Sequence, residues 1–383
     1  MIYQLKLFDT PLITFDATEH SDVPDVTIVS LDEERRALLP LDLVPTPAGL
    51  ARWLKSRTIP KDRAYVRSFL AKCGLNVNRS LDIIRVCRGL SLNDCYWVVE
   101  EGFTGTFAGC NLYDDPFSQV LAWLAFTGYG SQVRSSLTSS PEFTTNGALP
   151  KCWRRRNGQI LLYKGGSVGA SNSGNEPYSE YHAAQVAAAM GIDAVEYGLS
   201  RSKGRLCSTC ALFTSKERAF LPVGRMVGSG GLPAVRAYYA ELGLGHEEAL
   251  ADMIVFDAII CNEDRHLGNF GSYVDTRTNR IVGPAPLFDH GMGLFCFAGA
   301  DDLRSAEALD AYVSTLRPRT YDDFLDEARR VMTDRHRAML RRLLTFRFTR
   351  HPSYDLPAKR LRLIEGQIQK RARLLLGSSG SPS

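Results

Sequence analysis

Residues 246–262 read HEEALADMIVFDAIICN, a helical pattern that is apolar nearly all round. A helix without a polar face has no side to turn to water, so other elements must enclose it. A chain of 383 residues can build that enclosure, since it is long enough for roughly two or three domain-sized units with real cores. The helix delivers the segment NEDRHLGNFG at 262–271, and PLFDHG follows at 286–291. Asp252 and Asp257 lie inside the enclosed helix, so at least one requires a hydrogen-bonded partner. Both are read as braces for the loop that follows.

Within that loop Asp264 and Asn269 have the spacing D-x-x-x-x-N. A kinase catalytic loop uses this spacing to offer one carboxylate and one amide to the same site. The carboxylate accepts a proton from an attacking hydroxyl, and the amide oxygen ligates magnesium. Asp289, with Gly291 two residues on, stands where a second metal-binding carboxylate is expected. Hard oxygen ligands suit magnesium, and phosphoryl transfer asks the protein mainly for positioning and positive charge. Taken alone, NEDRH also reads as an ordinary helix cap, because Asn and Asp are common loop formers. His266 is a candidate base in the same loop. Asp264 has the better claim, and a histidine there more often orders the loop.

Composition excludes several classes. The longest apolar run falls short of the ~20 residues that a membrane span needs, and the amino-terminal MIYQLKLFDTPLITFD lacks the pattern of a secretory signal. Nine scattered cysteines, an odd number, fit reduced and mostly buried thiols, so a cytoplasmic location is expected. Cys207 and Cys210 form a C-x-x-C, but no second Cys or His pair stands at zinc spacing, and LCSTCALF reads as a buried strand. The formal net charge of +4 makes no case for nucleic acid, and direct nucleic-acid binding is not expected.

Along the chain, MIYQLKLF and DVTIVSL alternate as strands, and a helical stretch is expected from about 47 to 75. Its basic residues, Arg52, Lys55, Arg57, Lys61, Arg63 and Arg67, read as a solvated face in preference to a DNA surface. FSQVLAWLAFTG reads as a helix, and Asn157-Gly158 joins two strands in a hairpin. The Gly- and Ser-rich segment GGSVGASNSGNE is expected to be a mobile loop. YSEYHAAQVAAAM is a helix closed by Gly191. GIDAVEYGL is strand-like, and from about Val235 onward the chain is expected to be helical. The arginine-rich DRHRAMLRRLLTFRFTR reads as a solvated or partner-facing surface, and GSSGSPS as a flexible tail. The resulting organisation is an N-terminal region at 1–110, a strand-rich part at 111–227, a helical part at 228–376 and a tail at 377–383.

A kinase also needs a strand lysine for the alpha and beta phosphates and a helix acid to fix it. Lys164 ends the apolar strand QILLYK, and Glu180 lies on the helix that follows. Ala183, Ala184 and Ala187 give that helix a small-residue face that can approach a sheet closely. TTNGALPK at 144–151 precedes the strand; amides around Gly147 could cradle phosphate oxygens and Lys151 could add charge. A plain turn explains that segment about as well. The order Lys164, Glu180, Asp264, Asn269, Asp289 is the order found in kinases.

These segments, GALPKCW, ILLYKGG, YSEYHAAQVAAAMGI, NEDRHLGNFG and PLFDHG, resemble the HipA-like kinases, bacterial serine/threonine protein kinases often found in toxin–antitoxin modules. The resemblance covers about residues 140–300. It implies an α+β, bilobal protein-kinase-like fold with a strand-rich N-lobe, a helical C-lobe and an extra N-terminal region. It further implies ATP and Mg2+ as cofactors, held by Lys164, Asn269 and Asp289, with Asp264 serving transfer and His266 as the loop histidine. A protein substrate follows from it, as do an antitoxin partner and an autophosphorylated residue, for which Thr144 or Thr145 is the nearest match. DRH-x-x-N is also similar to the loop of phosphoinositide kinases, so a lipid or small-molecule acceptor stays open. So does a kinase-like binding module without transfer.

Overall fold

In the computed structural model, which describes residues 1–19, 22–133, 137–169 and 172–377, the chain divides into two compact units. One comprises Met1–Tyr163, Ala211–Leu221 and Tyr273–Val282; the other comprises Lys164–Cys210, Pro222–Ser272 and Gly283–Ser383. Of the two segments read as mobile, Ala170 and Ser171 of the Gly/Ser-rich loop and residues 378–383 of the tail lie outside the described residues.

The first unit opens with strands β1 (Ile2–Leu7), β2 (Thr10–Thr18), β3 (Asp25–Leu31) and β4 (Tyr96–Glu100), in the sheet order β3-β2-β1-β4. The period-2 alternation of β1 buries Tyr3, Leu5 and Leu7 on one face. Antiparallel register sets Tyr3 opposite Phe15 and Leu5 opposite both Ile13 and Val98. Tyr3 and Phe15 stack with ring centroids 5.7 Å apart, so cross-strand aromatic packing helps to hold this register.

The helical stretch expected at 47–75 is two helices, Pro47–Ser56 and Val66–Lys72, with a third at Ser80–Cys87. Pro60 and the left-handed backbone of Tyr65 interrupt it. The break changes the reading of its basic residues. Arg57 is buried and donates to the Asp94 carboxylate and to the Gly89 carbonyl (2.8 Å), and Arg63 is buried as well. They are interior braces, whereas Arg52, Lys61 and Arg67 are exposed. A separate cluster in this unit joins Phe69, Ile83 and Leu121 with Phe143, whose ring lies 5.1 Å from that of Phe69.

Strands β5 (Lys151–Arg156), β6 (Gln159–Gly165), β7 (Gly198–Ser202) and β8 (Arg205–Ala211) form a sheet of order β5-β6-β8-β7. The hairpin between β5 and β6 turns on Asn157 and Gly158, both at positive φ (50° and 78°), as a type I′ turn demands. GIDAVEYGL is strand only from Gly198; upstream it makes one isolated parallel bridge, Ala194 to Leu287.

The second unit is built around the helix His246–Ile260, in which every residue from Met253 to Ile260 is buried. Helices Glu176–Met190, Gly231–Leu242, Phe324–Val331, Asp334–Arg342 and Ala358–Leu376 pack into that core, together with Leu309 and loop residues such as Phe270, Leu287 and Leu294. Arg335, Arg337, Arg341 and Arg342 are exposed. The chain beyond Val235 is not uniformly helical, however. Strands β10 (Gly271–Asp275) and β11 (Arg280–Pro284) pair with β9 (Arg218–Pro222) in the order β11-β10-β9. Each apolar run is too short to show a period, and the signal lies in the turn. There the Asp275 carboxylate accepts from the Arg277 (3.1 Å) and Thr278 (2.7 Å) amides. No helix among the described residues is long and apolar enough to cross a membrane.

Candidate active site

Lys164 stands near the end of β6, and its ammonium lies between two carboxylates. It donates to Glu180 Oε1 at 2.6 Å and to Asp289 Oδ1. Glu180 is wholly buried on the helix Glu176–Met190, where the buried Ala183 and Ala187 provide the small face. Burial alone would depress the lysine; Asp289 first and Glu180 next reverse this, and the ammonium is held above its ordinary range. The other oxygen of Glu180 accepts from the His290 amide at 3.0 Å. One glutamate therefore fixes both the strand lysine and the backbone beside Asp289.

Asp289 takes a left-handed backbone (φ 60°), and its amide donates to Tyr197 Oη at 3.1 Å. The bonds Val195 N to Leu287 O (2.8 Å) and Leu287 N to Asp193 O (3.0 Å) hold the approach to this turn. Beyond it, Ser179 Oγ lies 2.7 Å from the carbonyls of both His290 and Gly293, and donates to either. The carboxylate of Asp289 is about a third exposed, unlike that of Glu180.

The loop bearing Asp264 begins where Cys261 turns left-handed (φ 50°) and ends the core helix. It is tied internally: His266 N donates to Asp264 O (2.8 Å), Asn269 N to His266 O (2.9 Å) and Asn269 Nδ2 to Asp264 O (3.3 Å). That last bond uses the amide nitrogen of Asn269 and not the oxygen a metal would need. His266 Nδ1 accepts from Gly268 N at 3.0 Å, which requires that nitrogen to be unprotonated. Burial lowers the pKa of His266, with Asp264 opposing, so the ring is neutral and orders the loop. Asp264 itself ion-pairs with Arg319.

Sequence reasoning missed Arg265. Its guanidinium is buried and forks onto Asp257, Nε to Oδ2 at 2.9 Å and Nη2 to Oδ1 at 3.0 Å. The same group donates to the carbonyls of Phe288 and Asn269 and to His290 Nδ1 at 3.0 Å. Burial opposes its charge, yet Asp257 holds its pKa above the usual arginine range. One side chain thus fastens the loop of Asp264 and Asn269 to the turn of Asp289. The available signal was Asp257 itself, because a carboxylate inside an apolar helix needs a cation. Asp252 turns elsewhere, to Arg335.

These contacts gather Lys164, Glu180, Asp264, Asn269 and Asp289 within one compact unit; Gly147 and Lys151 belong to the other. There the Lys151 ammonium is buried and donates to Asn146 O at 2.9 Å. Thr144 is buried with its hydroxyl on Leu90 O (2.8 Å), and Thr145 Oγ1 donates to Pro141 O (2.6 Å). Among the described residues no cluster of three or more His, Cys, Asp or Glu side chains could hold a metal ion. The Asp289 carboxylate and the Asn269 amide oxygen nonetheless fit magnesium, which is commonly held by one or two protein oxygens together with substrate phosphates.

No family model matches the chain, and no curated protein does. Among solved structures it is similar to HipA of Shewanella oneidensis MR-1, in a complex with HipB and its operator DNA. The TM-score is 0.55 at 13% identity, over 98% of this chain and 97% of that one. It is also similar to the Helicobacter pylori proinflammatory kinase CtkA, with a TM-score of 0.49 at 17% identity over 61% of this chain and 91% of that one. The chain therefore has an α+β, kinase-like fold of the HipA type.

Proposed function

We propose that this protein is an ATP-dependent kinase that transfers the gamma-phosphate to a Ser or Thr hydroxyl of a protein. The observation that carries this reading is Lys164 held between Glu180 and Asp289, with Arg265 fastening the turn of Asp289 to the loop of Asp264 and Asn269. Lys164 positions the alpha and beta phosphates, and Glu180 keeps it in place. Asn269 and Asp289 would hold Mg2+, which would supply positive charge against the phosphates. Asp264 orients or deprotonates the acceptor hydroxyl; Arg319 must leave its carboxylate as the acceptor arrives. His266, neutral, keeps the loop in shape. Gly147 and Lys151 contribute to phosphate binding through the turn they form. In this reading 1–110 is an accessory region, 111–227 is N-lobe-like, 228–376 is the helical C-lobe and 377–383 a tail.

A cytoplasmic toxin-like role with an antitoxin partner belongs to the same proposal, and the HipA complex with HipB supports it. Incubation with gamma-labelled ATP and a cell extract tests the reading. The wild type should label a protein, and Asp264→Ala should still bind MgATP but lose transfer by ~100-fold or more. Wild-type labelling by Asp264→Ala sinks the assignment. Label appearing only in lipid or small metabolites would move the acceptor to that class.

A further inference from the structure

Arg63 lies in the connection between the helices Pro47–Ser56 and Val66–Lys72, and its side chain is wholly buried. It reaches the segment that contains TTNGALPK. Nη1 donates to the carbonyls of Glu142 (3.3 Å) and Thr145 (3.2 Å), and Nη2 to the Lys151 carbonyl and the Glu142 carboxylate (3.2 Å). The neighbouring Ala64 amide donates to the Ala148 carbonyl at 2.7 Å. Carbonyls 142, 145, 148 and 151, one every third residue, all point at Arg63 or Ala64. The segment is wrapped around that point.

A trans peptide is planar, with its C=O and the next N–H opposed. The inward carbonyls of Thr145 and Ala148 therefore turn the amides of Asn146 and Leu149 away from the guanidinium. Amides turned outward on one short turn offer N–H donors to an anion. Gly147 lies between them at φ 94°, and a Cβ there would come within 2.2 Å of the Lys151 ammonium. That ammonium in turn pins the Asn146 carbonyl at 2.9 Å.

We infer that Arg63 is a positioning residue that shapes 144–151 into a phosphate-binding turn for a nucleoside triphosphate. The inference rests on the kinase reading. It makes the N-terminal region part of nucleotide binding, although its residues touch no reacting atom. Lysine in place of Arg63 keeps the charge but cannot fork onto several carbonyls.

The test uses the full chain. Arg63→Lys should raise KM for MgATP tenfold or more while kcat stays within about threefold, and amide exchange across 144–151 should quicken. Wild-type KM and wild-type exchange in a folded Arg63→Lys protein would overturn the inference. Should that variant fail to unfold cooperatively, Gly147→Ala acts on the same turn from its surface and should raise KM alike; a wild-type KM there overturns it too. Failure of the kinase reading looks different. The wild type then shows no thermal shift with MgATP, or Asp289→Ala shifts as the wild type does, while the exchange comparison still reports on Arg63.

Discussion

Each compact unit contains a buried arginine that pairs with a carboxylate and also donates to loop carbonyls. In one unit Arg265 forks onto Asp257 through two bonds of 2.9 and 3.0 Å, and Asn262 Nδ2 supports the same carboxylate at 3.4 Å. In the other Arg63 meets Glu142 through a single bond of 3.2 Å, and its buried Nε has no partner among the described residues. Both fix irregular backbone that would otherwise cost conformational entropy to order. They differ in how far the pair offsets its own desolvation. Burial raises both carboxylates, Glu142 up to about 7, but Asp257 holds Arg265 above the ordinary arginine range, whereas burial takes Arg63 below it despite Glu142. A tight fork makes a rigid joint; a loose one leaves a joint whose charge state can change near neutrality.

The largest expected effect comes from breaking the tight pair. Asp257→Ala leaves the Arg265 charge buried without its carboxylate, which should destabilise the protein by about 3–5 kcal/mol in urea unfolding. Because Arg265 also holds Asn269 O and Phe288 O, transfer should fall together with stability. Glu142→Ala should cost clearly less, since Arg63 keeps three loop carbonyls. Equal losses in the two variants would erase the distinction.

The second effect is a pH dependence that the loose pair carries near neutrality. Glu142 titrates near 4.5 in an unfolded chain and near 7 when folded, so between those values the folded state binds more protons. Stability from this group is present below about 4.5, falls as pH rises, and levels above about 7. The span amounts to about 3 kcal/mol at most. Glu142→Gln should flatten that part of the stability-versus-pH curve, measured by urea midpoints from pH 5 to 8. An unchanged slope would mean that Glu142 is already ionised across this range.

That Lys164, Glu180, Asp264, Asn269 and Asp289 share one compact unit could be expected, because the order of the proposed kinase roles sets them along the chain and each stands on a recognisable element. Arg265 and Arg63 were not legible. A buried arginine and an exposed one look alike in sequence, and their carboxylates lie 8 and 79 residues away. Arg63 was further hidden in a basic stretch whose helical pattern suggested a wet face; only the interruption near Pro60 and Tyr65 turns it inward. Strands β10 and β11 escaped for a related reason, because five residues apiece carry too few apolar positions to show a period.

The smallest effect concerns the ion pair between Arg319 and Asp264, a third kind of arginine contact. Its side chains are 58% and 38% exposed, so water and salt screen it, and a pair of this kind contributes about 0–1 kcal/mol. Arg319→Ala should leave the urea midpoint almost unmoved. Freeing the carboxylate for the acceptor should raise transfer by no more than about fivefold at low ionic strength, because 1.4 kcal/mol corresponds to tenfold. The gain should vanish at high salt, where the wild-type pair is already loosened. A loss of a hundredfold is far beyond what a screened pair can supply. It would place Arg319 against the transferring phosphate, and the contact with Asp264 would then be its resting position.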